Sequence, residues 1–326
     1  MLASVSDRSH VAAARRAAAD AAVLAQLDKT RIGRVELIAT EMATNILKHA
    51  TQGHISISPY RDAQGSGLEL VAFDKGPGIA DTQRALTDGV STAGSPGTGL
   101  GAIQRQADHF AIYSRPGLGT AVLARCGTVV ESVDAIVGAV NDPYPGETKS
   151  GDDWAFTTSQ GGPTLFMIDG SGHGSIAALA ADTAIKAFRG NATLQPVILG
   201  DRIHRALAPT RGGAIALARL NAAGRSVQYV GVGNITGVMF DGANVSRMVS
   251  NNGTAGHLTP RIREFTYGYQ SEPTIVLHSD GLSAKWDMKD YPGLSSSHPA
   301  LIAAVLFRDH RRGRDDATIV VLRMAP

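Results

Sequence analysis

The sequence predicts an α+β chain folded as two domains. Length comes first: 326 residues are enough for one large or two ordinary domains, each with its own core. Next, apolar runs of strand length repeatedly end in an acid followed by glycine, with Ala-rich or periodic helical stretches between them. Finally, 12 of the 37 glycines cluster in short turns at 74–101 and 161–174, one cluster in each half, so they punctuate structure and form no linker.

Composition narrows the function classes. With 43% apolar and 18% charged residues the chain reads as soluble and globular, not disordered. A net charge of +2 gives no electrostatic case for nucleic acid. Cys126 is the single cysteine, which excludes an intramolecular disulfide and fits a reducing, cytoplasmic setting. No apolar run approaches the ~18 residues needed to span a bilayer, so no membrane partner is expected. The first thirty residues are Ala- and Arg-rich like a transit peptide. Yet His10–Leu27 carries Asp20 and runs directly into the next element, which favours an ordinary first helix.

In the first half, Arg31–Ala50 reads as a helix with Val35, Ile38, Met42 and Ile46 on one stripe. Glu41 and Asn45 are four apart and project together from the flank of that stripe. By position alone they are either a surface pair or the rim of a pocket. His54–Ser58 alternates as a strand, and Leu68–Phe73 is a second strand ending at Asp74-Lys75-Gly76-Pro77-Gly78. A breaker-rich loop then leads to Thr98-Gly99-Leu100-Gly101, which opens a helix, where free backbone N–H groups suit phosphate. Phe110–Ser114 and Thr120–Ala124 form a hairpin.

Neither glycine cluster is specific alone; the order of the pieces is. Glu-x-x-x-Asn on a helix, Asp-x-Gly-x-Gly after a strand, and Gly-Thr-Gly-Leu-Gly at a helix start together resemble the GHKL (Bergerat-fold) ATPases. Glu41-Met42-Ala43-Thr44-Asn45 through Ala50 looks like the RsbT and RsbW serine/threonine kinases of bacterial partner-switching systems. The resemblance covers most of residues 10–125 and implies a Bergerat α/β sandwich with helices on one sheet face. It also implies site roles: Asn45 on Mg²⁺ at the ATP phosphates, and Asp74 on the adenine amino group. Gly76 and Gly78 would let the backbone approach the base, and Thr98, Gly99, Leu100 and Gly101 would wrap the phosphates under a lid at 82–97. Thr120 would lie near adenine. Glu41 would accept the substrate hydroxyl's proton, a sensible task for a carboxylate beside a weak nucleophile.

In the second half, Gly127–Val140 reads as one strand and Asn141–Gly146 breaks it. Asp152 stands at the head of a strand, and Thr164–Ile168 is a buried strand ended by Asp169-Gly170-Ser171-Gly172-His173-Gly174. Helices follow at Ser175–Phe188 and Leu194–Leu207, then strands at Ala214–Leu220, Val227–Val232 and Gly237–Phe240. A strand from Thr274 runs to Asp280-Gly281, an apolar helix covers Pro299–Phe307, and Asp315-Asp316 precedes the last strand, Ile319–Leu322. Acids thus stand at four strand ends: Asp152, Asp169, Asp280 and Asp315. Four carboxylates meeting at one sheet end would repel unless cations neutralised them. All-oxygen ligands without a Cys or His cluster select Mg²⁺ or Mn²⁺ over Zn²⁺. Spacing alone does not bring the four together.

Ser-Gly-Asp at 150–152, Asp-Gly-x-Gly-His-Gly at 169–174, Ser-Asp-Gly at 279–281 and Asp-Asp-x-Thr at 315–318 resemble, in order, the SpoIIE branch of the PPM serine/threonine phosphatases. The 169–174 version looks closest to the RsbX group. The resemblance implies an α-β-β-α sandwich and a two-metal centre of Mn²⁺ or Mg²⁺. Its ligands would be Asp152, Asp169, the Gly170 carbonyl, Asp280 and Asp315, with Asp169 central to catalysis. Asp153 and Asp316 remain ligand, supporting residue or solvated acid, the earlier acid of each pair being favoured. His173 is either a proton donor or a turn residue, and His278 reads as a packed strand residue.

The expectation is therefore two domains, 1–126 and 127–326, acting in opposite directions on bacterial switch proteins. The first would phosphorylate a STAS-domain antagonist or stressosome-type protein with ATP, and the second would dephosphorylate such a protein. The alternative is a phosphatase whose first domain only binds a partner, including a sigma factor, in a nucleotide-dependent way.

Overall fold

Two aspartates start the long helices of the first half. In the computed structural model, which describes residues 1–87, 99–128, 135–159, 161–242, 244–257 and 262–325, the Asp7 and Asp28 carboxylates accept from the N–H groups of Ser9 and Arg31. The elements here are β1 (Leu2–Val5), α1 (Arg8–Leu24), α2 (Lys29–His49), β2 (Gly53–Asp62), β3 (Gly65–Asp74), the single turn α3 (Thr82–Ala85), α4 (Gly99–Gln106), β4 (His109–Ser114) and β5 (Thr120–Thr128). The strands form one antiparallel sheet in the order β1-β2-β3-β5-β4. Val35, Ile38, Met42 and Ile46 of α2 are buried with Leu68, Leu70, Ala72, Val122 and Ala124 of the sheet. Side chains alternate along a strand, so Val71, Phe73, Ala121 and Leu123 point away from these helices, and all four are buried too. The same face holds Arg125, fully buried between Asp62 at 2.8 Å and Glu69 at 2.6 Å.

The second half contains β6 (Ala135–Asp142), β7 (Asp152–Ser159), β8 (Gly162–Gly170), α5 (Gly174–Gly190), α6 (Pro196–Leu207), β9 (Gly213–Asn221), β10 (Ser226–Val232), β11 (Thr236–Asp241), β12 (Asn244–Met248), β13 (Phe265–Gly268), β14 (Thr274–His278), α7 (Pro299–His310) and β15 (Ala317–Met324). Two five-stranded sheets result, β13-β10-β9-β8-β7 and β12-β11-β14-β15-β6. Their facing sides share one core, in which Leu165, Met167 and Leu217's neighbours Ala216 and Ala218 meet Ile275, Leu277, Val320 and Leu322. The opposite side of the first sheet carries Phe166, Ile168, Ile215 and Leu217 against Phe188 of α5 and Leu199 and Ile203 of α6.

By its contacts the chain divides into Met1–Ser132 with Asp287–Asp309, and Val133–Trp286 with His310–Pro326. The segment carrying α7 therefore packs with the first unit, although the sequence places it in the second domain. α7 is apolar on every side and buried from Pro299 to Phe307, as an all-round hydrophobic helix must be. Of the stretch 127–140, β5 takes in the residues to Thr128 and β6 those from Ala135, and 129–134 lie outside the described residues. The strands β1, β12 and β13 have no counterpart in the sequence reading. Each is short, and β12 exposes most of its side chains, so no buried alternation marks it.

Candidate active sites

In the first unit, α2 serves as a common wall. Glu41 and Asn45 lie on it beside its buried stripe, and the start of α4 comes down onto both. A Cβ at Gly99 would stand 2.8 Å from Asn45 Oδ1 and 3.3 Å from Glu41 Oε2, so any larger residue would have to displace these two side chains. Among the described residues, the buried Asn45 side-chain nitrogen has no hydrogen-bond partner. Such an orphaned amide beside a helix start is the kind of group a bound ligand satisfies. Leu100 packs against the core and Gly101 is buried in α4. Thr98, and the lid residues from 88 onward, lie outside the described residues.

Farther along α2, Ala50 meets the turn after β3. A Cβ at Gly76 would stand 2.9 Å from both Ala50 Cβ and Asp74 Oδ1. Asn45 and Ala50 are five residues apart, about 7 Å along a helix, so the two ends of the site share one wall. Asp74 closes β3, directly opposite Gly53 and Thr120. Its Oδ1 accepts from the Gly76 N–H at 2.8 Å. Burial pushes this carboxyl above its ordinary value, against the stabilising N–H. Gly78 adopts φ +73°, and a Cβ there would strike the Arg115 carbonyl at 2.0 Å. The Thr120 hydroxyl bonds Ser114 Oγ at 2.8 Å, and Ser114 Oγ accepts from the Ile79 N–H at 2.8 Å. One hydroxyl chain therefore ties the glycine turn to the β4–β5 hairpin. Ser114 carries no signal in the sequence, being an ordinary strand serine.

The second site lies at one end of the paired sheets. Asp152 and Asp169 stand directly opposite each other on β7 and β8, an unfavourable pairing for like charges. Burial, then Asp169, pushes the Asp152 carboxyl well up, against the lowering influence of the Ser279 and Thr318 hydroxyls. Its Oδ2 is buried without a partner. Burial, then Asp280, Asp315 and Asp316, pushes Asp169 up to about 7. Asp280 is raised by burial and by Asp315, and its Oδ2 accepts from Asn234 Nδ2 at 2.8 Å. Asp169, Asp280 and Asp315 line one cleft of about 830 Å³, with Tyr144, His173 and Asn234 also on its walls. Three of the four strand-end acids thus share one cleft, and Asp152 stands beside Asp169 on the neighbouring strand. Gly170 follows Asp169 and is buried, its N–H on the Gly151 carbonyl at 3.0 Å.

The doubled acids separate by geometry. Asp153 alternates to the helix side of β7, receives its own chain's Trp154 N–H at 2.7 Å, and feels Asp182 and Arg189 of α5. Asp316 is buried and its two oxygens accept from Tyr144 N–H at 2.7 Å and Gly151 N–H at 3.0 Å. It braces the loop that delivers Asp152, while Asp315 faces the cleft. His173 is neither bonded to backbone nor buried. Its ring stacks on Tyr144 at 4.1 Å and its Nδ1 meets Glu147 Oε1 at 3.2 Å. His278 is fully buried, with Nδ1 on the Ser279 carbonyl at 2.8 Å and Nε2 accepting from Trp286 Nε1 at 3.3 Å.

Donor chemistry fits hard cations: all-oxygen ligands, mutual repulsion to be neutralised, and one orphaned buried carboxylate oxygen. Among the described residues, no three His, Cys, Asp or Glu side chains stand close enough to grip one ion by themselves.

The chain thus carries an antiparallel sheet backed by α2 and α4, and a two-sheet sandwich with a carboxylate-lined cleft. Comparison with known proteins places both units. Residues 5–126 match the histidine kinase-like ATPase domain family and residues 159–325 match the stage II sporulation protein E (SpoIIE) family. The serine/threonine-protein kinase RsbT of Bacillus subtilis (strain 168) is 38% identical over 91 residues, 28% of this chain and 68% of RsbT. A structure described as the bacterial stressosome, a modular system adapted to control secondary messenger signaling, aligns at 25% identity with TM-score 0.53, covering 58% of this chain and 99% of that one. RsbX in complex with magnesium aligns with TM-score 0.53 at 18% identity, covering 61% of this chain and 99% of RsbX, which speaks to fold alone.

The chain belongs to the SpoIIE family, and its first half to the RsbT-type GHKL kinases. It is a protein serine/threonine phosphatase fused to a serine/threonine kinase-type domain, a partner-switching regulator with a nucleotide-binding ATPase-type unit. Among the described residues no helix is long and apolar enough to cross a membrane.

Proposed function

We propose that this chain both adds and removes a phosphoryl group on STAS-domain switch proteins. In the first unit, Asp74 takes the adenine amino group of ATP, with Gly76, Gly78 and Thr120 shaping the base pocket. Thr98, Gly99, Leu100 and Gly101 hold the phosphates and Asn45 a Mg²⁺ ion. Glu41 accepts the proton of the substrate serine or threonine hydroxyl as it attacks. The observation that carries this reading is the approach of Gly99 to Glu41 and Asn45 together. ATP binding needs Asn45 and Asp74 but no base, whereas transfer needs a carboxylate at the phosphate end of the site.

In the second unit, Asp152, Asp169, the Gly170 carbonyl, Asp280 and Asp315 hold two Mn²⁺ or Mg²⁺ ions. The ions supply Lewis acidity and a nucleophile at neutral pH. The protein's own part is to hold the carboxylates in register. Asn234 orients Asp280, and Asp316 fixes the 144–151 loop.

The deciding experiment follows phosphoryl transfer from Mg-ATP to a purified STAS-domain protein by the full chain. Glu41→Gln is expected to slow labelling by at least about 100-fold, the lower range of general-base effects, while nucleotide is retained. Asp169→Asn is expected to remove Mn²⁺-dependent release of phosphate from the labelled protein. Labelling by Glu41→Gln at the wild-type rate removes Glu41 as the base. Tight nucleotide binding without any transfer by the wild-type chain means that the first unit is a binding module.

A further inference from the structure

We infer that Arg308, which lies far outside the 5–126 ATPase match, is a positioning residue of the nucleotide site. Three consecutive residues at the end of α7 meet three consecutive residues at the end of β3. The Phe307 ring meets Phe73 edge-on at 6.0 Å. Arg308 Nη1 donates to the Asp74 carbonyl at 2.8 Å. Asp309 Oδ1 lies 3.7 Å from Lys75 Nζ. Successive helical residues point about 100° apart, so a run of three such contacts requires the helix end to abut the strand end.

Arg308 itself is held rigidly. Its side chain is 4% exposed, and Nε and Nη2 donate to Asp309 Oδ1 and Oδ2 at 2.9 and 2.8 Å. That fork leaves Nη1 free to reach the Asp74 carbonyl. The same Nη1 stands 2.8 Å from where a Gly119 Cβ would be, and that Cβ would stand 2.0 Å from the Asp74 carbonyl. Guanidinium, the Asp74 carbonyl and the hairpin glycine therefore meet at one point, just behind the carboxylate assigned to adenine. A cleft of about 240 Å³ opens beside them, walled by Lys75, Leu118, Tyr291 and Arg308.

Asp74 recognises a base only if its carboxylate is presented in one direction, which depends on its own peptide group. A buried, charged donor on that carbonyl fixes the peptide; without it the carbonyl is left buried with one partner fewer. The inference rests on the reading of Asp74 as the adenine residue. It adds that the stretch 287–309, within the SpoIIE match, completes the nucleotide site.

The test is calorimetric titration of the full chain with Mg-ADP. Arg308→Ala should weaken ADP binding by about ten-fold or more, the scale of a charge-assisted hydrogen bond, with stoichiometry unchanged. Arg308→Lys keeps the charge but cannot serve Asp309 and the carbonyl together, so a loss of about three-fold is expected. It also serves if the alanine variant does not fold. ADP affinity within two-fold of wild type in the folded variants overturns the inference. So does a fall in stoichiometry with the remaining sites binding normally, which marks general damage. Asp74→Asn separates the two claims. If it leaves ADP affinity unaltered, the adenine reading itself is wrong. If it abolishes binding while Arg308→Ala does not, only the positioning role fails.

Discussion

Asp152 and Asp153 are neighbours in sequence with opposite surroundings, because successive residues of a strand face opposite sides. Asp152 enters the carboxylate cluster and Asp153 turns to α5. Asp152→Asn should therefore lower Mn²⁺ affinity of the full chain by about ten-fold or more, the scale seen when a ligand's surroundings are disturbed. Asp153→Asn should leave it within about two-fold; equal losses from both would refute the assignment. His278 supports a second prediction. Burial lowers its imidazole to about 4 from 6.5, and Trp286 donates to the Nε2 that a proton would have to occupy. The folded value lies below the unfolded one, so the unfolded chain binds more protons between them. The stability this provides is whole above about pH 6.5 and is lost as pH falls toward 4. The full difference is about 3 kcal/mol. Urea unfolding of wild type and His278→Gln between pH 7 and 4.5 should show a steeper fall in the wild type. Parallel curves would mean that His278 does not carry this dependence.

At the scale of elements, the start of α4 is a close contact built on side chains of α2. A methyl group at Gly99 would press within 2.8 Å of Asn45 Oδ1 and 3.3 Å of Glu41 Oε2. Gly99→Ala should therefore cut phosphoryl transfer by about 100-fold while costing the fold no more than about 1–2 kcal/mol, a typical overpacking penalty. Calorimetry and a transfer assay on the same sample check this, and full activity would show that the helix start lies elsewhere when substrate binds. Elements of this kind were the legible ones. The α2 stripe and the acid-then-glycine ends of β3 and β8 carry strong local signals, because burial periodicity and glycine's conformational freedom are written residue by residue. The edge strand β12 was not legible, since exposed alternation resembles loop. Neither were the supports of the sites. Ser114, Asn234 and Arg308 are ordinary residues until topology brings them against Thr120, Asp280 and Asp74.

For the whole molecule, the assignment of Asp287–Asp309 to the first unit decides how the chain can be cut. The sequence suggests a boundary at 126, and a fragment 1–126 holds every residue of the nucleotide site except Arg308. Such a fragment also lacks Phe307 and the rest of α7. The sheet face turned away from α2 would then present Val71, Phe73, Ala121 and Leu123, each at most 1% exposed in the intact chain. One buried phenylalanine alone covers about 150–250 Å². The bared patch thus passes the few hundred Å² that monomeric proteins tolerate on their surfaces. The fragment 1–126 is expected to self-associate and to melt at least about 10 °C below the full chain, since losing partners for one buried phenylalanine costs about 3–5 kcal/mol and each kcal/mol is worth about 4–8 °C in a domain this small. Replacing Val71 and Phe73 by threonine in the fragment should restore a monomer without restoring ADP affinity, because Arg308 is still missing. Light scattering coupled to gel filtration, followed by ADP titration of the monomeric variant, reads both outcomes. A monomeric, wild-type-like 1–126 that binds ADP as tightly as the full chain would show that the 287–309 segment is dispensable for the first unit.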